Sequence, residues 1–90
     1  MRQKCSIVVV PRPSPSHAYD PALISLGKAI RRVRKGRGTS QEELAHLAGV
    51  DRAYLSAIER AEHNVAVINL VKISRALDME LAELFAQAKL

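Results

Sequence analysis

The side chains best equipped to act on a partner cluster between Ser40 and Asn64, and include Gln41, Asp51, Arg52, Tyr54, Ser56, Arg60 and His63. Amides, hydroxyls and guanidinium groups at close spacing suit recognition of an anionic, hydrogen-bonding surface better than bond-making chemistry. The residues offer little to a metal. His17, His46 and His63 are scattered, and the single cysteine, Cys5, has no second thiol to join it. A Ser/His/Asp catalytic set would have to draw on residues that the local pattern uses elsewhere. The sequence predicts no catalytic residue, no metal and no cofactor, and a chain that is not an enzyme.

These side chains need rigid elements to hold them. Ser40-Gln41-Glu42-Glu43 has the spacing of a capping box, in which the serine hydroxyl takes a free backbone N–H and the glutamate three residues on reaches back. Leu44, Ala45, Leu47 and Ala48 continue that helix until Gly49, where a sharp turn suits a positive φ angle. Asp51 is placed to cap a following helix that turns Leu55 and Ile58 inward. Asp51, Arg52, Ala53, Tyr54, Ser56 and Ala57 are left for its outer face. On spacing alone this is a helix-turn-helix, with a plain αα-hairpin of a small bundle as the alternative.

Charge favours the former. Lys and Arg number 14 against 9 acids, a net charge of +5. The excess is local: residues 21–38 hold six bases (Lys28, Arg31, Arg32, Arg34, Lys35, Arg37) and no acid, whereas residues 39–62 hold five acids and two bases. A basic helix beside a short-side-chain helix face fits a polyanion, and DNA in particular.

The other elements follow from periodicity. Leu23, Leu26, Ile30 and Val33 form one apolar stripe on a helix starting at Ala22 and ended by Gly36 and Gly38. A fourth helix is predicted over about 67–77, with Val67, Leu70, Ile73 and Leu77 inward, and a short fifth with Leu81, Leu84 and Phe85 inward. Residues 1–21 differ: the β-branched run Ser6–Val10 reads as a short packing strand, a frayed end or an edge that pairs with another subunit, and four prolines (Pro11, Pro13, Pro15, Pro21) favour extended geometry. The expectation is an all-α domain of five helices over 22–90, preceded by an extended arm over 1–21.

Ninety residues with 48% hydrophobic and 26% charged content describe one small folded domain. The longest apolar run, Ile7–Val10, is far below the roughly 20 residues that span a bilayer. These features predict a soluble cytoplasmic protein with no membrane role.

The run Gly27-Lys28-Ala29-Ile30-Arg31-Arg32-Val33-Arg34, then Ser40–Ala45 and Val50–Arg60, resembles the phage repressor and Cro helix-turn-helix family, also called the XRE family. Asp51-Arg52-Ala53-Tyr54-Leu55-Ser56-Ala57-Ile58-Glu59-Arg60 is most similar to the controller proteins of restriction–modification systems. The resemblance covers about residues 24–86. It implies a compact lambda-repressor-like domain, homodimers, and binding in the major groove of double-stranded DNA at paired half-sites. The DNA-binding residues it implies, together with the polar pattern, are Arg34, Ser40, Gln41, Asp51, Arg52, Ala53, Tyr54, Ser56, Ala57, Arg60, His63 and Asn64. Gln41 matches a phosphate-binding residue and Arg52 a base reader, with guanine the natural target of a bidentate guanidinium. Ala53 matches a base contact reduced to a methyl group, Asn64 a phosphate contact. Arg34 and Glu59 match a salt bridge that joins the first and third helices and would aim Arg34 at the DNA backbone. Ile68, Val71 and Leu84 are the expected dimer contacts, and RNA polymerase is a candidate partner for an activator.

The sequence departs from the family at several places. Ala61 replaces a glycine, His63 an arginine, Val65 and Ala66 a proline and a hydroxyl cap, and Asp78 a C-terminal glycine. Two rival roles use the same fold: an antitoxin gripping a toxin, and a helix-turn-helix domain that contacts only protein.

Overall fold

The computed structural model describes residues 17–90, and among them are five helices and no strand: α1 (Pro21–Gly36), α2 (Gln41–Ala48), α3 (Arg52–Glu59), α4 (Val67–Ala76) and α5 (Leu81–Ala88). The β-branched run, the thiol of Cys5 and most of the proline-rich arm lie outside the described residues. The end of the arm needs correction. Pro21 is the first residue of α1, where its fixed φ suits the helix and its missing N–H costs nothing. Asp20 caps that helix by accepting the Ala22 N–H at 2.9 Å. Residues 17–20 form a turn, and the Tyr19 N–H donates to the Ala61 carbonyl at 2.7 Å, so the helical body starts before Ala22.

Each helix is closed by the same backbone device. The residue at the turn takes a left-handed conformation, at Gly38, Gly49, Ala61, Asp78 and Lys89, with φ between 59° and 73°. At each, the following N–H bonds back five positions: Thr39 to Arg34, Val50 to Ala45, Glu62 to Ala57, Met79 to Ser74 and Leu90 to Phe85. Glycine takes this conformation freely, whereas Ala61, Asp78 and Lys89 carry the Cβ penalty. Ala61, which replaces a glycine of the family pattern, takes this conformation with φ 63°.

Helix starts are less uniform. The Ser40 box is complete, with the Glu43 N–H donating to Ser40 Oγ at 3.0 Å and the Ser40 N–H to Glu43 Oε1 at 2.9 Å. Asp51 sits at the N-cap of α3 but makes no side-chain cap bond, and Ala66 at the N-cap of α4 has no side chain able to make one.

The core is built from Leu26, Ala29 and Ile30 of α1, Leu44, Ala45 and Ala48 of α2, Leu55 and Ile58 of α3, Leu70, Ile73 and Leu77 around α4, and Leu84 and Ala88 of α5. Burying each large member contributes about 1.5–3 kcal/mol. Helix α1 packs on α3 and α5, and α2 on α3 and α4. The α1–α3 crossing is close: a Cβ on Gly27 would stand 2.6 Å from the Ile58 carbonyl oxygen and 2.7 Å from that of Glu59. Two sequence expectations fail in this packing. Val67 points outward, 65% exposed, because α4 turns Leu70, Ile73, Ser74 and Leu77 to the core. Leu84 is completely buried and unavailable to a second subunit.

Candidate nucleic-acid interface

Helix α3 has two sides. Leu55, Ala57 and Ile58 are buried, and the helical repeat brings Arg52, Ala53, Ser56 and Arg60 onto the opposite, solvent-facing side. Ala57, expected on the outer face, is therefore corrected: it is 5% exposed and packs inward. Arg52 is exposed and, among the described residues, forms no ion pair and no side-chain hydrogen bond, so its five donors are available. Ala53 beside it presents only a methyl group. Asp51 is exposed one residue before the helix.

Arg60 stands at the far end of this face and is engaged. Its Nε donates to Glu62 Oε2 at 2.9 Å and its Nη2 to Glu62 Oε1 at 3.1 Å, while Nη1 donates to Ser56 Oγ. Glu62 raises Arg60 above its ordinary pKa chiefly through these hydrogen bonds, and Arg60 lowers Glu62 by the same contact. The sequence pattern did not single out Glu62, a surface acid two residues past the helix end.

A buried network fixes α3 against α1 and α2. Arg34 Nε and Nη2 pair with the two Glu59 carboxylate oxygens at 2.8 and 3.0 Å, and Arg34 Nη1 donates to the Thr39 carbonyl at 2.9 Å. The side chains are 9% and 3% exposed. Donating to the Glu59 carboxylate holds the Arg34 guanidinium above its ordinary pKa, against the opposing effect of burial. The salt bridge is thus present, but the expected aim of Arg34 at DNA is corrected: its guanidinium points inward and positions helices. Gln41 joins the same carboxylate, donating from Nε2 to Glu59 Oε1 at 3.0 Å. This bond was not foreseen, because nothing in sequence marks a partner for Gln41 one helix away. It fixes the amide at the first residue of α2, where free backbone N–H groups and the helix dipole favour an anion. Ser40 beside it is exposed, with its oxygen already used in the cap.

A second polar group flanks the α3 face. The Asn69 Nδ2 donates to the Tyr54 hydroxyl at 3.0 Å, leaving the phenolic hydrogen free to donate outward. The Tyr54 and His63 rings lie 5.9 Å apart, tilted by 55°. Asn64 is exposed in the loop that follows. Of the expected residues, the structure gathers Gln41, Arg52, Ala53, Ser56 and Arg60 with Tyr54 and His63 around α3 and the start of α2, and removes Arg34 and Ala57 from the surface.

A buried, clamped α2–α3 pair with a short-side-chain face is the geometry of a helix-turn-helix, and a model of that family matches residues 30–84. The chain belongs to the helix-turn-helix family. Among relatives of this XRE-type family, the control protein C.MunI of Mycoplasma sp is 41% identical over 64 residues, 70% of this chain and 86% of its own. The transcriptional regulator SlrR of Bacillus subtilis is 48% identical over 61 residues, 67% of this chain, and the chain spans 40% of its length. The solved structure of the restriction–modification controller protein C.AhdI from Aeromonas hydrophila superposes with a TM-score of 0.69 at 44% identity, covering 70% of this chain and 96% of its own. The helix-turn-helix family to which the chain belongs is one of DNA-binding transcription regulators. No helix among the described residues is long and apolar enough to cross a membrane.

Proposed function

We propose that the protein regulates transcription as a homodimer that reads paired half-sites of an operator and carries out no catalysis. The observation that supports this most directly is the contrast within α3: Arg52 is exposed with its donors free among the described residues, beside the small Ala53 and Ser56, while Arg60 at the far end of the face is engaged by Glu62. Such a face enters a major groove without steric conflict, and a bidentate guanidinium there distinguishes guanine from other bases by about 1–3 kcal/mol. Gln41, the N-terminus of α2 and Tyr54 would hold phosphates on either side and set the register. A single eight-residue helix covers only a few base pairs, so operator choice needs two copies about one helical turn, roughly 34 Å, apart.

The dimer contact in this reading is the outer face of α4. Ile68 is 59% exposed, Val67 is 65% exposed, and Val71 is half-buried beside them, an apolar band without a partner within the described chain. Leu84 has no part in it. Operator position then decides the outcome: a dimer across the promoter represses, and one just upstream touching RNA polymerase activates. A cytoplasmic location accompanies this function.

The test is selection of genomic DNA fragments at physiological salt by the wild type and by Arg52→Ala. A two-fold-related motif enriched by the wild type, and degenerate at one position per half-site with the variant, is the expected result. An enriched motif unchanged by the substitution would remove Arg52 as the base reader. Absence of any motif would overturn sequence-specific regulation and turn attention to toxins or other protein partners.

A further inference from the structure

The two arginines of the α3 face are in opposite states. Arg52 is unpaired among the described residues, whereas every nitrogen of the Arg60 guanidinium is engaged, two by the Glu62 carboxylate and one by Ser56. An exposed ion pair is ordinarily of little consequence, because two long side chains lose freedom to form it. This one is bidentate, spans two residues of a turn already fixed by the Glu62 N–H bond to the Ala57 carbonyl at 2.9 Å, and shares a third hydrogen bond. The Glu62 side chain is 26% exposed and the Arg60 side chain 56% exposed, so the clamp lies at the surface where a duplex would run.

A free arginine at that end of the face would bind phosphate on any sequence. Each phosphate neutralised releases counterions and strengthens binding equally at operator and non-operator DNA, which narrows the ratio between them. We propose that Glu62 is a specificity-determining residue: by clamping Arg60 against Ser56 it withholds that charge from phosphates, and leaves sequence choice to Arg52. The inference rests on the DNA-binding role proposed above. Glu62 acts through Arg60 and need not touch DNA.

The test compares wild type, Glu62→Gln and Glu62→Gln/Arg60→Ala for binding to a random-sequence duplex between about 50 and 200 mM salt. Both substituted side chains are at the surface, and thermal melting verifies that the fold is retained. Glu62→Gln is expected to bind random DNA more tightly at low salt. Its plot of log affinity against log salt should be steeper by about 0.9, about a 3.5-fold larger loss across that range. Adding Arg60→Ala should return the slope to that of the wild type. Equal slopes for wild type and Glu62→Gln would overturn the clamp. So would a steeper slope that persists without Arg60, since the effect would then be the loss of a repelling carboxylate. A wild type that shows no salt-dependent binding to duplex at all would instead overturn the DNA-binding role on which the clamp depends.

Discussion

Gln41 and Glu59, 18 residues apart, are joined by a 3.0 Å hydrogen bond from the amide of the first α2 residue to the carboxylate of the last α3 residue. The carboxylate oxygen that accepts it also accepts Arg34 Nη2. Three helices therefore meet at one buried group, and the orientation of a candidate phosphate-binding amide depends on a charge balanced from α1.

Removing one side of that balance should be severe. Glu59→Ala leaves the Arg34 guanidinium buried and uncompensated, and is expected to cost about 3–5 kcal/mol in urea unfolding. Replacing both, as Arg34→Met with Glu59→Leu, should recover most of that loss, because desolvated charges are then absent. The double variant should still bind DNA more weakly than the wild type, since Gln41 loses its anchor. Full DNA affinity in a stable double variant would show that the network only holds the fold.

The α1–α3 crossing makes a different prediction. Gly27→Ala places a Cβ within 2.7 Å of two backbone carbonyl oxygens that have nowhere to go, and should destabilise by about 3 kcal/mol. Gly36→Ala, with nothing within 4 Å of the added carbon, should be neutral or stabilise by up to about 1 kcal/mol. Thermal melting of the two side by side separates close approach from backbone entropy.

Helix α4 begins without a side-chain cap, yet the backbone of Ala66 already has φ −69° and ψ 144°, the extended geometry of an N-cap. Ala66→Ser should therefore gain about 1 kcal/mol in denaturant unfolding. An unchanged midpoint would mean that the first N–H groups of α4 are already satisfied by water.

The capping box of α2 carries a pH dependence. The backbone N–H of Ser40, and then its hydroxyl, stabilise the Glu43 carboxylate and lower its pKa below the ordinary 4.5. As pH falls, the unfolded chain takes up this proton before the folded one does. The resulting stability is complete above about pH 4.5 and is lost as pH drops through the lowered value. Glu43→Gln, which keeps a capping side chain without the charge, should flatten that part of a stability–pH curve.

The helices were legible because periodicity and caps agree: Ser40 with Glu43, Gly49 at its turn, and the α1 stripe of Leu26 and Ile30 all sit as their spacing implies. Errors arose where a residue type does not reveal its side of a short helix. Ala57 and Ala53 are chemically alike, and only tertiary packing decides that one is buried and the other exposed. Val67 and Leu84 fail for the same reason, since an apolar letter suits a core or an interface equally. The neighbouring prolines place Pro21 in the arm, although Asp20 before it is a cap signal. The clamp of Glu62 on Arg60 and the Gln41–Glu59 bond have no sequence signature, because both depend on how turns and helices meet.

The bond from the Tyr19 N–H to the Ala61 carbonyl has a practical consequence. It joins the entry of the first helix to the exit of the third through two main-chain atoms, so neither the Tyr19 nor the Ala61 side chain takes part in it. That single amide proton is a built-in gauge. In hydrogen–deuterium exchange followed residue by residue, its protection tracks the order of the recognition helix's end from a site outside that helix, and any partner that steadies the helix will slow the exchange of Tyr19.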